Sequence, residues 1–141
     1  MIVAIVALLA AVAAPRFFDN QVFAERGYYD ELVAAVRYGQ KVAVGSGCAV
    51  RVAIDGSGYT LRQQVALAGH CDSGDATFPV PVRLSDGQAM DGTTPPGVAV
   101  GPPVTFGFDA LGRTDLPGSQ TISVGARSFT IEAESGLVVG P

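Results

Sequence analysis

Few side chains in this sequence have a type and spacing that could do chemistry, and each group has a plain alternative. Two cysteines, Cys48 and Cys71, and the single histidine, His70, form the strongest set. Cys48 opens a run that reads as a strand and Cys71 follows the returning strand, so a hairpin would bring their backbones close enough for a disulfide. Such a bridge stabilises a small domain by about 3 kcal/mol on the chain-entropy view. A metal site built from Cys48, His70 and Cys71 is the rival reading. Adjacent His70 and Cys71 are poorly placed to aim at one ion, however, and no fourth ligand is evident. His70 then reads as a solvated loop residue. Asp72 and Asp75 flank Ser73-Gly74 and could offer oxygen ligands to calcium, although the same spacing is that of a turn. Glu132 and Glu134 share one strand face with no nucleophile, histidine or apolar pocket signalled nearby, so they read as solvent-facing. Ser46 and Ser57 sit in glycine turns without the strand-to-helix setting of a hydrolase nucleophile. The expectation is a chain with no catalytic residue, no cofactor and no resident metal.

The elements that must position these residues are one long helix and a strand-rich head. Met1 to Ala14 contains no polar side chain. As a helix it would be about 21 Å long, short of the roughly 30 Å hydrocarbon core of a bilayer. Ile2, Val3, Ile5, Val6, Leu8, Leu9 and Val12, with Pro15 as a kink or hand-over point, are the expected membrane or assembly residues. A secretory signal peptide cleaved near Ala11, Ala13 and Ala14 is the alternative, but the basic n-region is missing and the helical pattern continues. From Phe17 the pattern becomes two-faced. Phe18, Val22, Tyr29, Leu32 and Val36 recur at spacings of three, four and seven and are expected to pack on the head, with Val33 beside them. Asp19, Glu25, Arg26, Asp30, Arg37 and Lys41 fall largely on the other side and read as a solvated face. Gly45-Ser46-Gly47 ends the helix. The divisions are therefore 1–15 for the membrane or filament-core segment, 16–46 for the amphipathic continuation and 47–141 for the head.

In the head, Ala49 to Ile54 alternates Val50, Val52 and Ile54 against Ala49, Arg51 and Ala53, and Asp55 to Gly58 turns the chain into a strand from Tyr59 to Val65. Further strands are expected at 78–84, 104–108, 120–124 and 128–133. Between Ser85 and Pro103, glycines and prolines predict a long irregular loop with one short strand at 98–100. The fold class is α+β, a long helix packed on a small antiparallel sheet or sandwich. Net charge is −4 and unevenly spread: residues 1–71 carry six basic and five acidic groups, residues 72–141 three and eight. The acidic half would repel a polyanion, and no cluster of arginines shows in the sequence, so nucleic acid is not an expected partner.

The order of segments resembles a known family. An all-apolar helix start, then Ala14-Pro15-Arg16-Phe17, an amphipathic run ending Leu32 to Ala43, a strand opening at Cys48-Ala49-Val50-Arg51-Val52, and a head with Gly58-Tyr59-Thr60-Leu61, Phe106 to Arg113 and Ile131 to Gly136 together look like a minor pilin or pseudopilin. The resemblance is to the GspH/FimT type, and most to the minor pilins of MSHA biogenesis. It implies a non-catalytic subunit of a type IV pilus or type II secretion pseudopilus, with a pilin-like fold. The implied location is the inner membrane, head in the oxidising periplasm, before assembly. The implied partners are other pilin subunits, the inner-membrane assembly platform and the lipid bilayer. Alternatives within reach are a DNA-binding pilin for uptake and a membrane-anchored adhesive or binding module. DNA-uptake members carry Gly-Arg-x-Arg near the C-terminus, where this chain reads Gly136-Leu137-Val138-Val139. Family members also begin with a basic leader ending in Gly, then Phe and a nearby Glu, so a reading frame extended upstream of Met1 is expected to supply them.

Overall fold

The computed structural model describes residues 20–141. Ile2, Val3, Ile5, Val6, Leu8, Leu9, Val12, Pro15 and Phe18 therefore lie outside the described residues. Helix α1 runs Asn20–Ser46. It stops where the glycine-rich sequence says it should. Gly47 takes a left-handed φ of 69° and its N–H donates to the Ala43 carbonyl, which closes the last turn without a Cβ penalty.

Eleven strands follow: β1 Val50–Ile54, β2 Gly58–Gln63, β3 Ala66–Leu67, β4 His70–Cys71, β5 Val80–Pro81, β6 Asp91–Thr93, β7 Val100–Gly101, β8 Val104–Phe108, β9 Gln120–Val124, β10 Arg127–Ile131 and β11 Val138–Val139. The larger sheet has the order β5-β2-β1-β8, with β6 also pairing β2; the smaller has the order β11-β10-β9-β7. Strands β3 and β4 form a separate hairpin, and all these pairings are antiparallel. One face of α1 covers both sheets. Period-two alternation decides which side chains join it. Val50, Val52, Ile54, Leu61, Phe106 and Phe108 come inward from the larger sheet, and Ile122, Val124, Phe129 and Ile131 from the smaller.

On the helix the buried residues are Tyr28, Tyr29, Leu32, Val33, Ala35, Val36, Gly39 and Ala43. Gly39 sets the distance of approach, because a Cβ there would lie 2.9 Å from a methyl of Leu61 and 3.6 Å from methyls of Val50 and Val52. Gly27 has no such role. It is exposed and nothing lies within 4 Å of where its Cβ would be. Gly27→Ala is therefore expected to stabilise the protein by about 1 kcal/mol, read as a higher denaturation midpoint with an unchanged slope.

Several sequence expectations need correction. Val22 is not part of the core; it is 55% exposed, because buried positions on this helix begin at Tyr28 and the head contacts further back, at Gln21 and Glu25, are polar. The strand expected over 78–84 shrinks to β5: at its start Phe78 adopts a φ of 52°, and at its end Arg83 bridges Ala89 in a tight return of the chain. The loop 85–103 holds two short strands, β6 pairing β2 and β7 pairing β9, neither centred on 98–100. The last long strand begins at Arg127 and ends at Ile131, ahead of a turn whose Gly136 N–H donates to the Glu132 carbonyl.

Candidate functional site

Helix α1 is fixed to the head by polar ties along its length as well as by its apolar face. Gln21 donates to the Gly97 carbonyl (2.7 Å), and Glu25 accepts from the N–H of Ala126 (2.9 Å). The Tyr29 hydroxyl donates to the Ser128 carbonyl (3.2 Å), and Arg37 donates to the Val138 carbonyl (3.0 Å). Gln40 donates to the carbonyls of both Gly112 (2.8 Å) and Ser135 (2.9 Å), joining two loops across the helix end. Glu31 accepts from the Tyr59 hydroxyl at 2.7 Å. Burial first, and then that bond to Glu31, push the Tyr59 hydroxyl well above the ordinary tyrosine range. So the helix charges are only partly a solvated face: Arg26, Asp30 and Lys41 are exposed, whereas Glu25, Glu31 and Arg37 hold head to helix.

Tyr29, Leu32 and Val36 lie in the core. Large apolar side chains stand uncovered at both ends of the helix. Val22 and Phe23 (78% exposed) lie toward the N-terminus, and Val44 (52%) toward the C-terminus, beside the Gly112 turn. Among the described residues no helix is long and apolar enough to cross a membrane.

Cys48 and Cys71 form a disulfide with Cα atoms 5.2 Å apart, within the usual span of such bridges. It draws the β3–β4 hairpin to the helix–β1 junction. Asp72 and Asp75 act as turn residues here. Asp72 accepts from the N–H of Gly74, and Asp75 accepts from the N–H groups of Val65 and Thr77 and from the Thr77 hydroxyl. The Thr77 hydroxyl and amide hold the Asp75 carboxyl below its usual range. A depressed carboxyl contributes order that is present above its unfolded value near pH 4 and is lost as pH falls through the lower folded value. Amide exchange across residues 72–78 is accordingly expected to accelerate below about pH 4, ahead of the core strands. Glu132 accepts from the Ser119 hydroxyl (2.8 Å) and Glu134 is exposed, so the two form no acid–base pair with each other.

Sequence reasoning missed one arrangement on the outer face of the larger sheet. Arg51 and Arg62 are direct cross-strand partners. The signal was present: with Asp55–Gly58 as the turn, Ile54 faces Tyr59, and three residues further back Arg51 must face Arg62. Arg113 and Arg127 are engaged elsewhere. Arg113 pairs with Asp109 at 3.0 Å, and the Arg127 guanidinium lies 5.9 Å from the centre of the Tyr29 ring. Desolvation pushes the Asp109 carboxyl up, but backbone N–H donors from Arg113 and Leu111 and the Arg113 guanidinium outweigh it and leave it lowered.

The helix and antiparallel sheets of the described residues, the helix laid across both sheets, make the pilin fold. The particular solved structures it is similar to are two crystal forms of the type IV minor pilin FimU of Pseudomonas aeruginosa. One has 18% identity and a TM-score of 0.54, with 82% of this chain and 92% of that chain covered; the other has 18% identity and a TM-score of 0.56, with 82% and 87% covered. No protein-family model matches the chain, and no curated protein matches it.

Proposed function

We propose that this chain is a non-catalytic minor pilin or pseudopilin, a subunit carried into a type IV pilus or type II secretion pseudopilus by its N-terminal helix. The observation that carries the reading is the division of labour along that helix. Its middle is buried in the head through Tyr28 to Ala43, while Val22 and Phe23 stand uncovered on the side of the chain that leads back to the apolar sequence Met1 to Ala14. An apolar surface left open at a fixed angle to a rigid head suits repeated, heterologous packing into a filament. The fold shared with FimU supports it. In this reading the segment 1–15 resides in the inner membrane before assembly, the head 47–141 lies in the periplasm, and the partners are other pilin subunits, the assembly platform and, transiently, lipid.

An epitope-tagged copy expressed in the native host tests the proposal. The chain is expected in the membrane fraction and among filaments sheared from the surface or from over-assembled pseudopili. Recovery only as a soluble species, with no association with either filament, would remove it. The uptake alternative is not favoured, because the positions matching the two arginines of Gly-Arg-x-Arg are Leu137 and Val139, both exposed and both apolar.

A further inference from the structure

The outer face of the larger sheet carries two like charges that the fold does not neutralise. Pairing register sets Gly107, Arg51, Arg62 and Pro81 in one row across β8, β1, β2 and β5. Directly opposed residues hold their Cβ atoms about 5 Å apart, and like charges so placed are destabilising. Among the described residues no carboxylate lies within 4.0 Å of either guanidinium; the ion pair present is Arg113 with Asp109.

Arg51 is nevertheless held in place, and Arg62 reaches the same loop. Arg51 donates to the Ala76 carbonyl (3.1 Å) and Arg62 to the Pro79 carbonyl (3.5 Å). Phe78, between those two carbonyls, sets the centre of its ring 4.0 Å from the Arg51 guanidinium carbon. It does so from a φ of 52°, a region that costs a bulky residue about 1 kcal/mol or more. A guanidinium has five N–H donors, so one bond to a backbone carbonyl leaves most of each fork open.

From this geometry we propose that Arg51 and Arg62 form a two-armed site for a single carboxylate on a side chain of a neighbouring protein. Guanidinium forks match a carboxylate in shape, and an anion between them offsets the repulsion that the register imposes. A shallow recess lined by Ala49, Phe78, Gly107, Asp115 and the Asp109–Arg113 ion pair opens beside Arg51 and gives the rest of the incoming segment somewhere to lie. The surroundings select against a polyanion. Asp115 accepts from the N–H of Gly107 in the same row, and Asp109 lines the recess beside it. One carboxylate gains the short-range contacts while adding a single charge to that field; a run of phosphates would add many. The site does not depend on the filament reading, since it is argued from the arginine pair and its sheet face alone.

The test uses the full chain, isotope-labelled and held in a non-ionic detergent, with the Nε–H resonances of its eight arginines as reporters. The probe is the blocked tripeptide Ac-Gly-Glu-Gly-NH2, compared with Ac-Gly-Gln-Gly-NH2 and with a short DNA duplex. The Arg51 and Arg62 signals are expected to shift saturably with the Glu peptide and not with the Gln peptide. Arg62→Gln should weaken that response about tenfold, and Arg51→Lys should weaken it comparably although charge is kept, because lysine lacks the fork and the stacking plane. Arg26→Gln should leave it unchanged. Equal shifts at all eight arginines, an equal response to the Gln peptide, or no saturable shift would overturn the proposal. Tighter engagement of the pair by the duplex than by the Glu peptide would overturn the choice of ligand.

Discussion

Replacing Cys71 with serine, or reducing the bridge to Cys48, is expected to lower the stability of the head by about 3 kcal/mol. The closed loop spans a sequence separation of 23, long enough for the unfolded chain to lose substantial entropy when it is tied. The larger reason lies in what the loop lacks. Between Leu61 and Val82 no residue belongs to the buried core, so the intervening chain has almost no apolar area of its own to hold it. It is kept by the two-residue ladder of β3 and β4, by Gln64 donating to the Asp75 carbonyl and accepting from the N–H of Ala49, and by the bridge. Denaturant titration with and without reductant measures the loss. A midpoint unmoved by reduction, with both thiols shown to be free, would mean that the polar ties alone order the segment. Loss of the bridge should also release Phe78 from Arg51, so the carboxylate response of the arginine pair is expected to fall together with stability.

How much of this molecule was legible in its sequence depended on whether a contact was made by alternation or by register. Strands β1, β8 and β9 could be read almost to the residue because Val50, Val52 and Ile54, then Phe106 and Phe108, then Ile122 and Val124, alternate with small or polar neighbours. Strand β6 could not. Asp91-Gly92-Thr93 has no apolar side chain; Gly92 is needed because a Cβ there would strike the ring of Tyr59, and that is a tertiary demand. Helix α1 was legible as a stripe, yet Tyr28, Ala35, Gly39 and Ala43 were missing from it; at Gly39 close approach to β1 and β2 requires a small residue that hydrophobic periodicity does not weight. The type of Phe78 suits a strand. Its observed backbone conformation follows from the loop it closes, which local propensity does not encode. The arginine pair lay between these cases, fixed by a turn that was recognised but not carried through to its partners.

The other large effect separates the two ends of the helix. Leu32 is fully buried among core residues of helix and sheets, and Leu32→Ala is expected to cost 2–5 kcal/mol, about the range for deleting a core leucine side chain that its neighbours cannot fill. Val22 belongs to the same sequence stripe, seven residues before Tyr29, but lies outside the core. Val22→Ala and Phe23→Ala are therefore expected to change stability by no more than about 0.5 kcal/mol, the usual range for exposed sites. Denaturation of the three variants in parallel checks this contrast. A Val22→Ala cost equal to that of Leu32→Ala would show that the head's apolar contact continues past Tyr28. The filament reading adds a second expectation. If the uncovered residues meet neighbouring subunits, Phe23→Ala should reduce recovery of the chain in sheared filaments while leaving its denaturation midpoint in place. Leu32→Ala should act in the opposite order, lowering the midpoint first and incorporation only through loss of folded protein. A Phe23→Ala chain incorporated as well as the parent would remove this end of the helix from the assembly surface.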